Sequence, residues 1–138
     1  DCAKYVPLDS PLLEGFSCPG NVPSPVLHQY TGAYLAEKHF GIRDEEVLGA
    51  IRYHTSGRAG MGELEKLVYL SDLLEAGRDF PGVAELRELF WKDLDVCLYE
   101  SLRHEVGYLN GTGKEVYPLT QEAYDWIKSR MKNTNLPN

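Results

Sequence analysis

Apolar residues recur at helical spacing along most of this chain, and no strand-length run alternates apolar with polar. The first 25 residues differ, because Pro7, Pro11, Pro19, Pro23 and Pro25 punctuate them. Within that stretch only 10–16 is expected to hold a helix, with Ser10 as N-cap and Pro11 at the first helical position. Helices are then predicted over 25–40, capped by Ser24 and stopped at Gly41, and over 44–54, capped by Asp44. Further helices are predicted over 63–75, stopped at Gly77 with Pro81 beyond, and over 83–91 and 94–109, with a kink near Asp93 between the last two. Thr120 is expected to cap a last helix carrying Ala123, Trp126, Ile127 and Met131. Tyr69, Trp91, Tyr99, Tyr108 and Trp126 are spaced like core residues. The fold class is all-α.

Composition narrows the function. The 138 residues suit one domain, taken as 1–132 with a disordered tail at 133–138, and 43% hydrophobic content suffices for a core. The net charge of −7 argues against a nucleic-acid partner, so any polyphosphate ligand must be held by local charge. No apolar run approaches the ~20 residues that span a bilayer, so no membrane partner is expected. Cys2, Cys18 and Cys97 form no C-x-x-C pair and fit neither a disulfide framework nor a zinc knuckle, which points to a reducing cytoplasm.

Three polar side chains fall where the helical period expects apolar ones. Asp72 lies at i+4 from Val68 and i+8 from Leu64, on their inward stripe. His54 follows Val47 and Ile51 on one face. His28 sits in the first turn of its helix with Gly32 a turn later, where missing bulk lets another group approach. A buried lone carboxylate costs several kcal/mol, so Asp72 must be paired, protonated or metal-bound. Asp72 as a partner of Arg78 or Lys66, and the histidines as hydrogen-bonded core residues, stay open as alternatives. Mixed imidazole and carboxylate ligands from different helices suit a metal used in phosphate chemistry. Arg78, six residues after Asp72, can project a planar fork for phosphate oxygens over the same site, or it is a solvated surface arginine. His39 and His104 lie among charged residues and are expected to be exposed. Gly57, Gly60 and Gly62 are followed by no G-K-[ST] and make no P-loop.

The segments Ala50-Ile-Arg-Tyr-His-Thr-Ser-Gly-Arg58, Leu64-Glu-Lys-Leu-Val-Tyr-Leu-Ser-Asp72 and Glu75-Ala-Gly-Arg-Asp-Phe-Pro-Gly-Val-Ala-Glu-Leu-Arg87 resemble the YqeK-type symmetrical diadenosine tetraphosphate hydrolases of the HD superfamily. Leu27-His28-Gln-Tyr-Thr-Gly32-Ala fits that family's His-containing helix start, and Asp1-Cys-Ala-Lys4 looks like the tail of its His-Asp motif. The resemblance implies an HD-type helical bundle and a divalent metal or iron, with Fe first and Mn, Co or Mg as alternatives. It matches Asp1 and Asp72 to the carboxylate ligands, and His28 and His54 to residues that contact phosphates or help hold a second metal. Arg78 matches the phosphate-contacting arginine. The implied reaction is symmetrical cleavage to two ADP by metal-bound hydroxide, with His28 or His54, when protonated, donating to the leaving phosphate. Implied partners are a dinucleoside polyphosphate or ADP, and a homodimer is compatible. The chain departs from the pattern in lacking the early-helix histidine and the histidine before Asp1, and its loop from Asp1 to His28 is shorter than usual. It is therefore expected to be a fragment that starts inside the His-Asp motif. Another HD-type nucleotide phosphohydrolase, or a metal-free nucleotide-binding remnant, are the alternatives.

Overall fold

Proline spacing governs how the chain enters its helices. A computed structural model describes residues 2–133, and all of the described regular structure is helical. Asp1 and the tail residues 134–138 lie outside the described residues. The helix expected over 10–16 shortens to one 3-10 turn, Pro11–Leu13, with the Ser10 hydroxyl accepting from the Leu12 N–H. Glu14 leaves the helical region and Gly15 follows at positive φ, which ends the turn. An earlier 3-10 turn spans Cys2–Tyr5.

Helix α1 runs Ser24–Phe40 and stops at a left-handed Gly41. Ser24 is its first residue rather than its cap. Helix α2, Glu45–Arg52, starts where Asp44 Oδ1 accepts from the Glu46 and Val47 N–H groups. It is shorter than expected, so His54 sits in the turn beyond it. Helix α3 spans Glu63–Leu73, α4 Val83–Lys92, α5 Leu94–Gly111 and α6 Pro118–Asn133. Asp93 makes a full break, not a kink: its backbone is extended and its carboxylate caps α5 through Val96 N–H at 3.0 Å. Thr120 is buried inside α6, which starts instead at Pro118, and Asn133 is still helical.

Helices α3, α4, α5 and α6 share the main core, built around Leu70, Leu98, Leu102 and Ile127 at 0% exposure. Burying each such side chain contributes roughly 1.5–3 kcal/mol. Helix α1 packs on α2 and α2 on α3, extending the bundle towards the N-terminal turns. Trp91 (85% exposed) and Tyr108 (57%) do not join the core, although Tyr69 does. Trp91 stands edge-on to Phe90 at the surface and Tyr108 lies beneath Lys114 Nζ, placements that spacing alone does not show.

The inward face of α3 is also not the one expected. Glu65, Tyr69 and Leu70 are buried, whereas the stripe of Leu64, Val68 and Asp72 is half-buried. Apolar residues surround most of this helix, so no single stripe dominates its period. Glu65 lies inside because Arg58 meets its carboxylate through two hydrogen bonds of 2.8 and 3.0 Å, and Gly62 N–H donates a third at 2.7 Å. Lys66 pairs with Asp95 across to α5, so it is not the partner of Asp72. The Cys97 thiol is buried, donates to Leu86 O, and is pushed by burial up to about 11. Cys18 is exposed and both thiols are free. No described helix is long and apolar enough to cross a membrane.

Candidate active site

Two histidines 26 positions apart in sequence meet ring to ring. His28 projects from the start of α1 and His54 from the turn after α2, with their Nε2 atoms 3.0 Å apart and ring centroids at 4.9 Å. His54 Nδ1 lies 2.7 Å from the Ile51 carbonyl, which can only accept, so Nδ1 carries a proton and donates it there, and the ring turns its Nε2 edge inward. His28 is 9% exposed, with Nε2 also 2.9 Å from Thr55 Oγ1. Burial first, then the charges of His54 and Lys4, outweigh Asp72 and the Pro25 backbone and hold its pKa down to about 4. At pH 7 that favours the neutral form of His28.

The turn that carries His54 is clamped by a residue the periodicity did not single out. Gln29, fully buried beside His28, accepts from the Thr55 and Ser56 N–H groups at 3.2 and 3.0 Å and donates to Ser56 Oγ at 2.9 Å. Consecutive residues of α1 thus supply one half of the imidazole pair and the anchor for the other half. Gly57 follows at φ 65, and an added Cβ would stand 3.3 Å from Ala123, so glycine is needed for both conformation and packing. At Gly32 a Cβ would meet Ala3 and Ile51 at 3.4 Å, ordinary van der Waals contact, so packing there does not require glycine.

Asp72 and Arg78 pair with each other. The Asp72 side chain is 40% exposed and pairs with Arg78 Nη2 at 3.7 Å, so the expectation of a buried carboxylate is corrected. Solvent and the guanidinium supply what burial would have denied it. Its charge still reaches His28, where it acts to raise the pKa. Arg78 also lies 3.7 Å from Glu75, and its side chain is 45% exposed. Arg87 fixes the loop beneath it, donating to the carbonyls of Leu74, Glu75 and Arg78 at 2.8–2.9 Å. On the far side of α3, Tyr69 donates to Glu105 Oε2 at 2.7 Å, and burial raises both groups' pKa values. His39 and His104 are exposed, as expected.

Among the described residues, no three His, Cys, Asp or Glu side chains converge as a metal site. Asp1, the other expected carboxylate, lies outside them. The two imidazoles do fit neighbouring positions on one ion, because a 3.0 Å Nε2 separation is compatible with two bonds of about 2.0–2.1 Å. The His54 Nδ1 bond to a carbonyl is the usual outer support of a metal-binding ring.

Known proteins bear out the likeness. No family model matches the chain. A symmetrical bis(5'-nucleosyl)-tetraphosphatase of Bacillus subtilis (strain 168) is 44% identical over 102 residues, 74% of this chain and 55% of that protein. One of the same description from Staphylococcus aureus is 37% identical, covering 80% of this chain and 59% of its own length. The chain thus spans little more than half of these curated relatives. A solved structure from Clostridium acetobutylicum, described as a predicted HD superfamily hydrolase involved in NAD metabolism, superposes with a TM-score of 0.81 at 38% identity, covering 94% of this chain and 72% of that one. A shared helical fold, substantial identity and two converging histidines together lead to one statement: this chain belongs to the HD superfamily of hydrolases.

Proposed function

We propose that the protein hydrolyses a dinucleoside tetraphosphate symmetrically, diadenosine tetraphosphate yielding two ADP, at the pocket edge formed by His28, His54, Asp72 and Arg78. The observation that carries this reading is the 3.0 Å convergence of the two Nε2 atoms, with the charge of Asp72 felt at His28 and Arg78 paired to Asp72. The relatives' activity supports the choice of substrate.

His28 and His54 would hold a divalent metal or iron ion, with Asp72 and Asp1 as the proposed carboxylates. Such an ion supplies a water of lowered pKa and positive charge for phosphate oxygens. The residues of this chain have separate tasks. Arg78, freed from its long contact with Asp72, offers two N–H groups to equatorial oxygens as charge grows on them. Lys4, whose charge is felt at His28 and which lines the same cavity, adds a second cation. Gln29 keeps His54 in register, and Thr55 Oγ1 steadies His28. In the reaction a water oxygen bonds to a phosphorus of the central anhydride, the bridging P–O bond breaks, and the oxygen leaves with the second ADP. The proposed setting is the cytoplasm.

Chromatography of the products from diadenosine tetraphosphate tests the proposal. ADP alone is expected. AMP and ATP in equal amounts would replace symmetrical cleavage with asymmetrical cleavage, and unreacted substrate would remove the activity.

A further inference from the structure

Tyr69 is a core residue with a polar end. It is buried in the cluster that holds Met61, Leu70 and Leu98, yet it reaches two parts of the candidate site. Its Cε2 edge closes the space beside Gly57, the third residue after His54: a Cβ built on Gly57 would stand 3.8 Å from it. Asp72 follows it by one turn of α3, near enough that its charge helps to raise the pKa of the phenol. We propose that Tyr69 is a positioning residue for the hydrolysis: Glu105 of α5 holds its hydroxyl, and its ring in turn fixes the His54 turn against the helix that carries Asp72. The proposal rests on the hydrolase reading above and adds to it a residue that acts through His54 and Asp72.

Packing alone does not account for the hydroxyl. A phenylalanine would fill nearly the same volume without burying a polar atom, and a buried hydroxyl is costly unless it is paired. Here it donates to Glu105 Oε2 at 2.7 Å, which draws a carboxylate into the contact between α3 and α5, where burial penalises its charge. Such a bond is directional where apolar contact is not, so it fixes the rotation of the ring as well as its depth. Burial first, then Glu105, holds the phenol's pKa well above its ordinary value, so at neutral pH the hydroxyl keeps its proton and remains a donor. Ala123, Met61 and Tyr69 are the three side chains that border the space beside Gly57, and of these only Tyr69 has a hydroxyl to anchor it. The residues just before Gly57 are held by Gln29, which accepts from the Thr55 and Ser56 N–H groups. The His54 turn is thus gripped from α1 and backed from α3.

Steady-state kinetics with diadenosine tetraphosphate, together with NMR of the imidazole rings in the substrate-free protein, test the proposal. Tyr69→Phe keeps the ring and loses the bond to Glu105. Its kcat should fall about 10-fold with KM little changed, a fraction of the roughly 100-fold that a misplacement of about 1 Å can cost. Glu105→Gln keeps an acceptor for the phenol and should retain the parental kcat, whereas Glu105→Leu leaves the phenol without one and should match Tyr69→Phe. Combining Tyr69→Phe with Glu105→Leu should be no worse than either alone, because both remove the same bond. The His54 ring resonances should shift in Tyr69→Phe and Glu105→Leu and stay in place in Glu105→Gln. Parental kcat in Tyr69→Phe, or a loss in Glu105→Gln as large as in Glu105→Leu, would overturn the positioning role and leave the hydrolase reading standing. If the parent cleaves nothing, the hydrolase reading fails and the ring resonances decide alone: moved in Tyr69→Phe, they keep Tyr69 as the prop of His54; unmoved, they remove it.

Discussion

Replacing Gln29 by Met removes the clamp on the His54 turn at nearly constant volume. Three hydrogen bonds disappear: two that accept from the Thr55 and Ser56 N–H groups, and one that donates to Ser56 Oγ. The hydroxyl of Ser56 keeps its bond to Gly57 O, so its loss is partial. The Ser56 N–H is buried and has no water to turn to, whereas Thr55 is half-buried. At about 1–3 kcal/mol for each buried group left unsatisfied, Gln29→Met should cost about 3 kcal/mol. Ser56→Ala removes only the side-chain bond and should cost about 1 kcal/mol. Urea unfolding reads both as a lower midpoint with an unchanged slope. Hydrogen exchange at the Thr55 and Ser56 amides should quicken in Gln29→Met more than in Ser56→Ala. A Gln29→Met stability within about 0.5 kcal/mol of the parent, the range of neutral surface changes, would refute the clamp.

Arg78→Ala breaks only long, half-exposed ion pairs, so its stability should change by less than about 1 kcal/mol, while turnover falls about 100-fold or more, measured by ADP release. Arg58→Ala strands the buried Glu65 carboxylate with only Gly62 N–H left to meet it, and should cost about 3–5 kcal/mol in thermal or urea unfolding. Burial raises the Glu105 pKa in the folded state, so the native protein binds that proton more tightly than the unfolded chain. Its contribution to stability is therefore full below the ordinary carboxylate range and is lost as pH rises through the raised value. Glu105→Gln should flatten that decline in a pH series of urea midpoints; an unchanged slope would count against it.

Helix existence was legible wherever caps and breakers framed a periodic run: Asp44 and Gly41 mark real boundaries. Legibility failed where the period was ambiguous. Helix α3 is apolar on most sides, and its buried face was settled by tertiary contacts, chiefly Arg58 drawing Glu65 inward. That rotation left Asp72 half-exposed, beyond the reach of periodicity. The histidine pair was half legible: both residues stood out singly, but nothing local says that positions 28 and 54 meet. Gln29 and Arg87 act through main-chain groups remote in sequence, and such partners leave no spacing to read. A polar glutamine next to His28 in the same buried turn was the one available hint. Spacing places Trp91 and Tyr108 in the core, yet both are exposed, because an aromatic at helical period carries no mark of which side its neighbours occupy.

A double-mutant cycle on turnover tests most directly whether the two imidazoles act as one unit. His28→Ala, His54→Ala and the double variant would be compared for hydrolysis of diadenosine tetraphosphate. Convergence at 3.0 Å predicts that each single change is severe and that the double change is scarcely worse than either. Independent, multiplying losses, or near-parental turnover in either single variant, would contradict a shared centre.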